Sequence, residues 1–128
     1  MRLLVDTHAF LWAVASPSRL SERAREVLLD ASTELFLSGA SAYEIAVKAA
    51  KGHLLLPDEP GRFLATRMPM LGMTELAISA KHAAAAAALP PIHADPWDRL
   101  LIAQAQMEGI AVLTSDRHIR RYDVETIW

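Results

Sequence analysis

The segment RLLVDTHAFLWAVAS, residues 2–16, joins a short apolar run to a longer apolar stretch and places Asp6 at their junction. The run RLLV has the length and continuous apolarity of a strand that is buried on both faces. The stretch THAFLWAVAS is long enough for a helix and stops at Ser16-Pro17. The segment therefore predicts a strand–helix unit with an acid at the carboxyl end of its strand.

The same alternation continues to the end of the chain. Further strands are predicted in ELFLSG, MTELAI, IAVLTSD and VETIW. Helices are predicted between them in LSERAREVLLDAS, SAYEIAVKAAKGH, RFLATRMPMLG, SAKHAAAAAALPP, PWDRLLIAQA and, as a short one, RHIRRY. Ser21 is the expected cap of the second helix, Gly52 the stop of the third, and Pro69 should break the fourth. Repeated strand–helix order predicts an α/β fold with a parallel sheet covered by helices on both faces.

The composition limits the class of protein. The chain has 128 residues, of which 52% are hydrophobic, no cysteine and a formal charge of −2. We expect one domain over residues 1–128, with no disulfides and no cysteine-bound metal. The apolar start of the chain is interrupted by Asp6 and His8, and no run is long enough to cross a membrane, so we expect a cytoplasmic protein. Because the charge is not basic, nucleic acid would have to bind through a local patch or a bound metal.

The segment HADPWDRLLIAQA, residues 93–105, begins with two acids three positions apart. Asp95, followed by Pro96, has the pattern of a helix cap and a first-position proline. Asp98 then falls in the first helical turn, where the helix dipole favours negative charge. Each acid taken alone thus has a structural explanation.

Four acids in four elements are predicted to meet at one edge of the sheet. Asp6 and Asp116 follow the first and fourth strands, and they become neighbours if those strands are adjacent. Glu44 and Asp98 lie early in helices that start from the same edge. Helix capping, or an ion pair between Glu44 and Lys48, could explain each acid separately. Clustered carboxylates repel each other, however, and a hard divalent cation such as Mg²⁺ or Mn²⁺ is the usual compensation.

The motifs LLVDTHAFLW, SAYEIAVKAAKGHLLLP, HADPWDRLLIAQA and AVLTSD occur in the order found in a known family. The series resembles the PIN domain, most closely the VapC-type toxins of bacterial toxin–antitoxin pairs. The resemblance implies a three-layer α/β/α Rossmann-like fold with a central, mostly parallel sheet. It also implies a Mg²⁺- or Mn²⁺-dependent endoribonuclease that hydrolyses RNA, a cognate antitoxin protein as partner, and pairing as a homodimer.

The resemblance assigns roles to individual residues. The four family acids, expected to be catalytic and to bind metal, match Asp6, Glu44, Asp98 and Asp116. Thr114 matches a hydroxyl position that supports the metal site. Lys48 and Arg99 stand where the family tends to carry basic residues, so we expect them to contact RNA, with Arg117, Arg120 and Arg121 as further candidates. We expect Asp95 to act as the cap of the helix that contains Asp98. Tyr43 departs from the tryptophan expected in this subgroup.

Other conspicuous side chains receive structural interpretations. The five histidines lack the helical spacing of a zinc site, and a structural hydrogen bond is expected for His93. Trp12 and Trp97 are expected in the core. The cluster of Met68, Met70, Leu71 and Met73 is either core or an exposed patch for a partner.

Two other functions compete with the nuclease. A small-substrate phosphohydrolase would place a second acid two positions after Asp6, where the chain has His8. A catalytically silent PIN-like binding module would not need all four acids together. The sequence therefore favours a metal-dependent nuclease over both.

Overall fold

A computed structural model describes all residues, Met1–Trp128. The strands are β1 (Arg2–Val5), β2 (Glu34–Ser38), β3 (Met73–Leu76), β4 (Ala111–Leu113) and β5 (Thr126–Ile127). The helices are α1 (Thr7–Ala15), α2 (Glu22–Leu29), α3 (Gly39–Ala50), α4 (Pro60–Met70), α5 (Ala80–Ala88) and α6 (Pro96–Glu108). Short 3₁₀ turns cover Pro17–Arg19 and Ile119–Arg121. Every predicted strand is therefore present.

The five strands form one parallel sheet in the order β3-β2-β1-β4-β5. Strand β1 lies at the centre, with Leu3 opposite Leu35 on β2 and Ala111 on β4. The predicted adjacency of the first and fourth strands is confirmed. It brings the residues that follow β1 and β4 together at the carboxyl edge, where the N–H of Asp6 donates to the carbonyl of Leu113 at 3.1 Å.

Both faces of the sheet are buried under helices. Leu3 and Val5 belong to a cluster with Phe10, Val27 and Phe63, contributed by α1, α2 and α4. The intervening residues face the opposite side, where they pack on α6 and the turn after β4; these are Leu4 and Val112, with Leu101, Ile102 and Ile119. Helix α5 packs on α6. The predicted three-layer α/β/α architecture is confirmed.

Helix ends largely follow the predicted signals. The Ser21 hydroxyl accepts a hydrogen bond from the N–H of Ala24 and caps α2. Gly52, just beyond α3, has a φ of 74°, a left-handed conformation that a side chain would strain. The expectation for Pro69 was wrong: α4 continues through it to Met70. In the last turn, a proline removes only one helical hydrogen bond, so the helix tolerates it there.

No helix of the chain combines the length and hydropathy that a membrane span requires.

Candidate metal centre

Asp6 anchors the site at the end of β1. One carboxylate oxygen accepts the N–H of Ala9 at 2.7 Å and so caps α1. The other accepts the hydroxyl of Thr114, which lies directly after β4. Both side chains are buried, with residue exposures of 6% and 0%. Since strand pairing fixes both backbones, the Asp6 carboxylate is held in place from two sides.

Asp116 follows Thr114 by two residues and is oriented by the same hydroxyl. The N–H of Asp116 donates to Thr114 Oγ1 at 3.0 Å, and Asp116 Oδ1 accepts the N–H of His118 at 2.8 Å. Thr114 therefore connects Asp6 to Asp116 through one buried hydroxyl. The role in supporting a metal site that the resemblance implies for Thr114 stays a prediction.

Asp98 reaches the same edge from the first turn of α6. Asp95 caps that helix, since its Oδ1 accepts the N–H groups of Trp97 and Asp98 at 2.9 and 3.2 Å. Asp98 is thereby free of capping and its Oδ2 lies 3.0 Å from Nε2 of His93. These contacts confirm the prediction that Asp95 caps the helix. The metal-binding role predicted for Asp98 stays a prediction.

The donor atoms at this edge have the spacing that a metal ion requires. One ligand atom each from His93, Asp98 and Asp116 lies within 4.8 Å of the others, and all three residues are partly buried. Carboxylate oxygens suit Mg²⁺ or Mn²⁺, and an imidazole nitrogen is compatible with a transition metal. The donor set present thus fits a divalent cation.

The raised pKa values of two of the acids also favour a bound cation. Burial raises the pKa of the Asp6 carboxyl above its ordinary value, and nearby Asp116 raises it further. Burial, then the charge of Asp95 and that of Asp116, raises the pKa of Asp98 to about 7, against a hydrogen bond from His93 that lowers it. The carboxylates are therefore costly to ionise together, and a bound cation would relieve that cost.

Comparisons with known proteins show which family the chain belongs to. A family model described as the PIN domain matches residues 3–125. The chain belongs to the PIN-domain family. It is 32% identical to Ribonuclease VapC22 of Mycobacterium tuberculosis over 124 residues, which cover 94% of this chain and 91% of that protein.

Solved PIN-domain structures share the fold at lower identity. VapBC2 from Rickettsia felis, bound to a DNA fragment from its promoter, has a TM-score of 0.72 and 13% identity, covering 99% of this chain and 98% of that one. FitAcB from Neisseria gonorrhoeae has a TM-score of 0.69 and 19% identity, covering 98% and 96%. A toxin–antitoxin complex from Klebsiella pneumoniae has a TM-score of 0.68 and 20% identity, covering 98% and 96%.

Asp6 lies outside the group of close donor atoms, and so does Glu44, the remaining family acid. Glu44 is buried in α3, where its Oε1 accepts the hydroxyl of Thr7 at 2.8 Å. Its Oε2 pairs with Nζ of Lys48 at 2.5 Å, so the ion pair suggested by their spacing is present. Thr7 follows Asp6 directly in the chain, so its hydroxyl links Glu44 to the segment that carries Asp6.

Arg99 has a different environment from the one expected of an RNA contact. Its guanidinium donates to the carbonyls of five residues around the end of α5 and the loop before α6, which are Ala86, Ala87, Leu89, Pro90 and His93. It also donates to the hydroxyl of Tyr122 at 3.2 Å. Through these hydrogen bonds, Arg99 connects α6 to the preceding loop.

Two histidines at the centre lie outside the predicted site. The His93 ring contacts Asp98, and it stacks on the His118 ring with centroids 4.4 Å apart and planes 2° from parallel. The structural hydrogen bond expected of His93 is present, but its acceptor is a predicted metal ligand. The position of each histidine two residues from an acid, Asp95 or Asp116, was the signal available in the sequence.

Proposed function

We propose that this PIN-domain protein is a divalent-metal-dependent endoribonuclease and the toxin of a toxin–antitoxin pair. The observation that carries the proposal is the group of close donor atoms from His93, Asp98 and Asp116 at the carboxyl edge of the sheet. Asp6 lies behind this group, joined to Asp116 through the Thr114 hydroxyl, and the pKa values of Asp6 and Asp98 are raised. The relationship to Ribonuclease VapC22 supports RNA as the substrate.

Asp98 and Asp116, with Asp6 behind them, would hold the cation. A divalent ion bound there would supply the acidity that generates a nucleophile from water and the positive charge that stabilises a pentavalent phosphorane. The Thr114 hydroxyl donates to the Asp6 carboxylate and accepts from the N–H of Asp116, so it fixes the two residues relative to each other. Glu44, fixed by Thr7 and Lys48, offers a carboxylate that orients the attacking water.

Basic side chains around the acids are the proposed RNA contacts. Lys48 is partly exposed, with 41% of its side-chain surface accessible, and its pairing with Glu44 holds it beside the acids. Arg117, Arg120 and Arg121 follow Asp116 and are exposed or at the surface of the same loop. Phosphate contacts from such residues would offset the net negative charge of the chain.

RNA cleavage with defined metal content tests the proposal. The purified protein should cleave RNA with Mg²⁺ or Mn²⁺, lose activity in EDTA, and leave 5′-phosphate and 3′-hydroxyl ends. Asp6→Asn should reduce cleavage on the order of a hundredfold or more while preserving the fold. Asp123→Asn, at an exposed position away from the acids, is the matched control. Full activity of Asp6→Asn with metal present, or a 2′,3′-cyclic phosphate product, would contradict the mechanism.

The proposed antitoxin surface is an apolar groove of 510 Å³ between α1, α4 and the loop that precedes α4. Ten of its twelve lining residues are hydrophobic, among them Leu11, Val14, Leu55, Phe63, Met70 and Leu71. Leu55 and Met70 are 98% and 77% exposed, which is unusual for large apolar side chains and typical of a partner site. A second cavity of 350 Å³ shares Met70 and Leu71 and extends the groove to α2.

The methionine cluster thus divides between the two roles that the sequence allowed. Met73 is buried and Met68 packs against the core, whereas Met70 lies in the groove. We propose that the antitoxin inserts an apolar segment there. Homodimer formation also remains a proposal, and light scattering on the purified protein measures it.

A further inference from the structure

We propose that His93 is a direct nitrogen ligand of the divalent ion, so that the centre is a mixed imidazole–carboxylate site with a preference for Mn²⁺ over Mg²⁺. The inference rests on the proposed metal-dependent function and adds a residue and an ion preference to it.

The spacing of the donor atoms supports direct ligation. Nε2 of His93 lies 3.0 Å from Oδ2 of Asp98. Two adjacent ligands of an octahedral ion, each at about 2.1 Å from the metal, are about 3.0 Å apart. A hydrogen bond has the same length, but Asp116 offers a donor atom as well, and one donor atom from each of the three residues lies within 4.8 Å of the others. The three side chains therefore form one group of close donors instead of an isolated pair.

The backbone of His93 is fixed before any ligand arrives. Its N–H donates to the hydroxyl of Tyr122 at 2.8 Å, and its carbonyl accepts from Arg99 at 3.2 Å. Tyr122 also donates to the carbonyl of Pro90 at 3.0 Å. Tyr122 and Arg99 thus hold the loop that precedes α6 in the conformation that points the imidazole at Asp98. Preorganisation of this kind is what a ligand-bearing loop requires.

The orientation of the ring is also restrained. The side chain of His93 is only 20% exposed, and its flat face is covered by the parallel ring of His118. His118 is itself exposed and its ring belongs to no group of close donor atoms. The stacking therefore leaves the edge of the His93 ring that carries Nε2 directed at the acids.

The presence of an imidazole nitrogen among the ligands favours Mn²⁺ over Mg²⁺. Mg²⁺ strongly prefers oxygen ligands, whereas first-row transition ions accept an imidazole nitrogen more readily. A neutral imidazole also adds a ligand without adding negative charge to a cluster in which ionisation is already opposed by burial and neighbouring acids. Replacement of one oxygen by this nitrogen should therefore move the selectivity from Mg²⁺ toward Mn²⁺.

Electron paramagnetic resonance of the Mn²⁺-loaded full-length protein tests the proposal. Pulsed spectra of the wild type should show hyperfine coupling to a directly bound imidazole nitrogen, which changes when histidine is isotopically labelled. His93→Gln should abolish that coupling and lower Mn²⁺ affinity about tenfold, with a smaller change for Mg²⁺. Calorimetric titration with each ion measures the affinities. His118→Gln and the exposed His53→Gln are controls that should retain the coupling.

The outcomes separate this inference from the proposed function. If the wild type binds Mn²⁺ and cleaves RNA but shows no nitrogen coupling, His93 is not a ligand and the nuclease proposal stands. Coupling that persists in a folded His93→Gln or His93→Asn variant has the same consequence for His93. If the wild type neither binds Mn²⁺ nor cleaves RNA in its presence, both proposals fail. The wild-type spectrum alone decides the matter if both variants misfold.

Discussion

The carboxyl group of Asp98 lies between His93 and Asp116 in the first turn of α6. Local sequence places it there, because Asp95 and Pro96 start the helix three positions earlier. What local sequence does not set is its environment. Burial and the charges of Asp95 and Asp116 raise its pKa to about 7, which is far from the ordinary value of 3.8. An aspartate in a solvated helix start would have no such shift.

Asp98→Asn should lower activity and at the same time raise the stability of the metal-free protein. The substitution removes a proposed metal ligand, so Mn²⁺ binding and RNA cleavage should fall on the order of a hundredfold or more. The metal-free variant should be more stable than the wild type at pH 8 by roughly 2 kcal/mol, because a partly buried charge is removed. Urea denaturation in EDTA measures the stability. A less stable metal-free variant would argue that the carboxylate stabilises the fold.

The stability of the metal-free protein should fall as pH rises toward neutrality. Unfolded Asp98 loses its proton near pH 3.8, whereas the folded protein keeps it up to about pH 7. The folded state therefore holds the extra proton between these values, and its advantage over the unfolded state shrinks as pH rises through that window. The raised pKa of Asp6 acts in the same direction.

Urea unfolding in EDTA from pH 4 to pH 8 measures this dependence. The profile should become shallower in Asp98→Asn, since one of the two carboxyls with a raised pKa is gone, and should keep the wild-type slope in the control Asp123→Asn. Saturating Mn²⁺ should reverse the trend, because the ion binds only the deprotonated carboxylate. A stability that increases with pH in EDTA would contradict the environment described for Asp98.

Aromatic residues show the limit of residue-by-residue inference. Trp12 is half-buried against the core of the α1 face, close to expectation. Trp97 belongs to neither hydrophobic cluster, so the core assignment was wrong. It packs edge-on against Tyr43, with ring centroids 5.2 Å apart, and Tyr43 is 62% exposed. Helical spacing predicted an internal Trp97, whereas the structure leaves it partly buried beside the exposed Tyr43.

At the scale of elements, Arg99 connects α5, α6 and the loop between them. The Arg99 guanidinium donates to the carbonyls of Ala86 and Leu89 at 2.9 Å each, where α5 ends and few helical donors are available. Its position next to Asp98 and the family resemblance led us to predict that this arginine contacts RNA. The contacts instead indicate that it positions the loop that carries His93.

Arg99→Met should therefore destabilise the protein by about 2 to 3 kcal/mol, because charged hydrogen bonds to partly buried carbonyls are lost. Arg120→Met, at an exposed site in the turn after β4, should change stability by less than about 0.5 kcal/mol. Urea denaturation measures both. If Arg99→Met weakens RNA binding while its unfolding free energy is unchanged, the original assignment to RNA is correct.

At the scale of the whole molecule, two separate surfaces serve two proposed functions. The metal centre lies at the carboxyl edge of β1 and β4, and the apolar groove lies over α1, α4 and the loop before α4. The groove contains none of the acids. An antitoxin could therefore bind strongly there while a second segment reaches the acids.

Met70→Glu should weaken antitoxin binding at least tenfold and leave RNA cleavage by the free protein unchanged, since it places a charge in the groove and not at the acids. Met107→Glu is the matched control, because Met107 is 46% exposed at the end of α6, outside the groove. Titration of each variant with the proposed cognate antitoxin measures the affinity. Equal affinities for the two variants would place the antitoxin elsewhere.

The sequence by itself determined the order of strands and helices, the cap at Asp95, and the layered α/β class, because apolar periodicity and capping are local properties of the chain. Family motifs supplied the four acids. Only the tertiary structure decided which side chains surround each acid. His93 reaches Asp98, five residues further on, because Tyr122 and Arg99 fix the backbone of its loop. Arg99 itself donates to the carbonyl of Ala86 and the hydroxyl of Tyr122, which lie 13 and 23 residues away in the chain. Such contacts depend on strand order and helix packing, which no local pattern encodes.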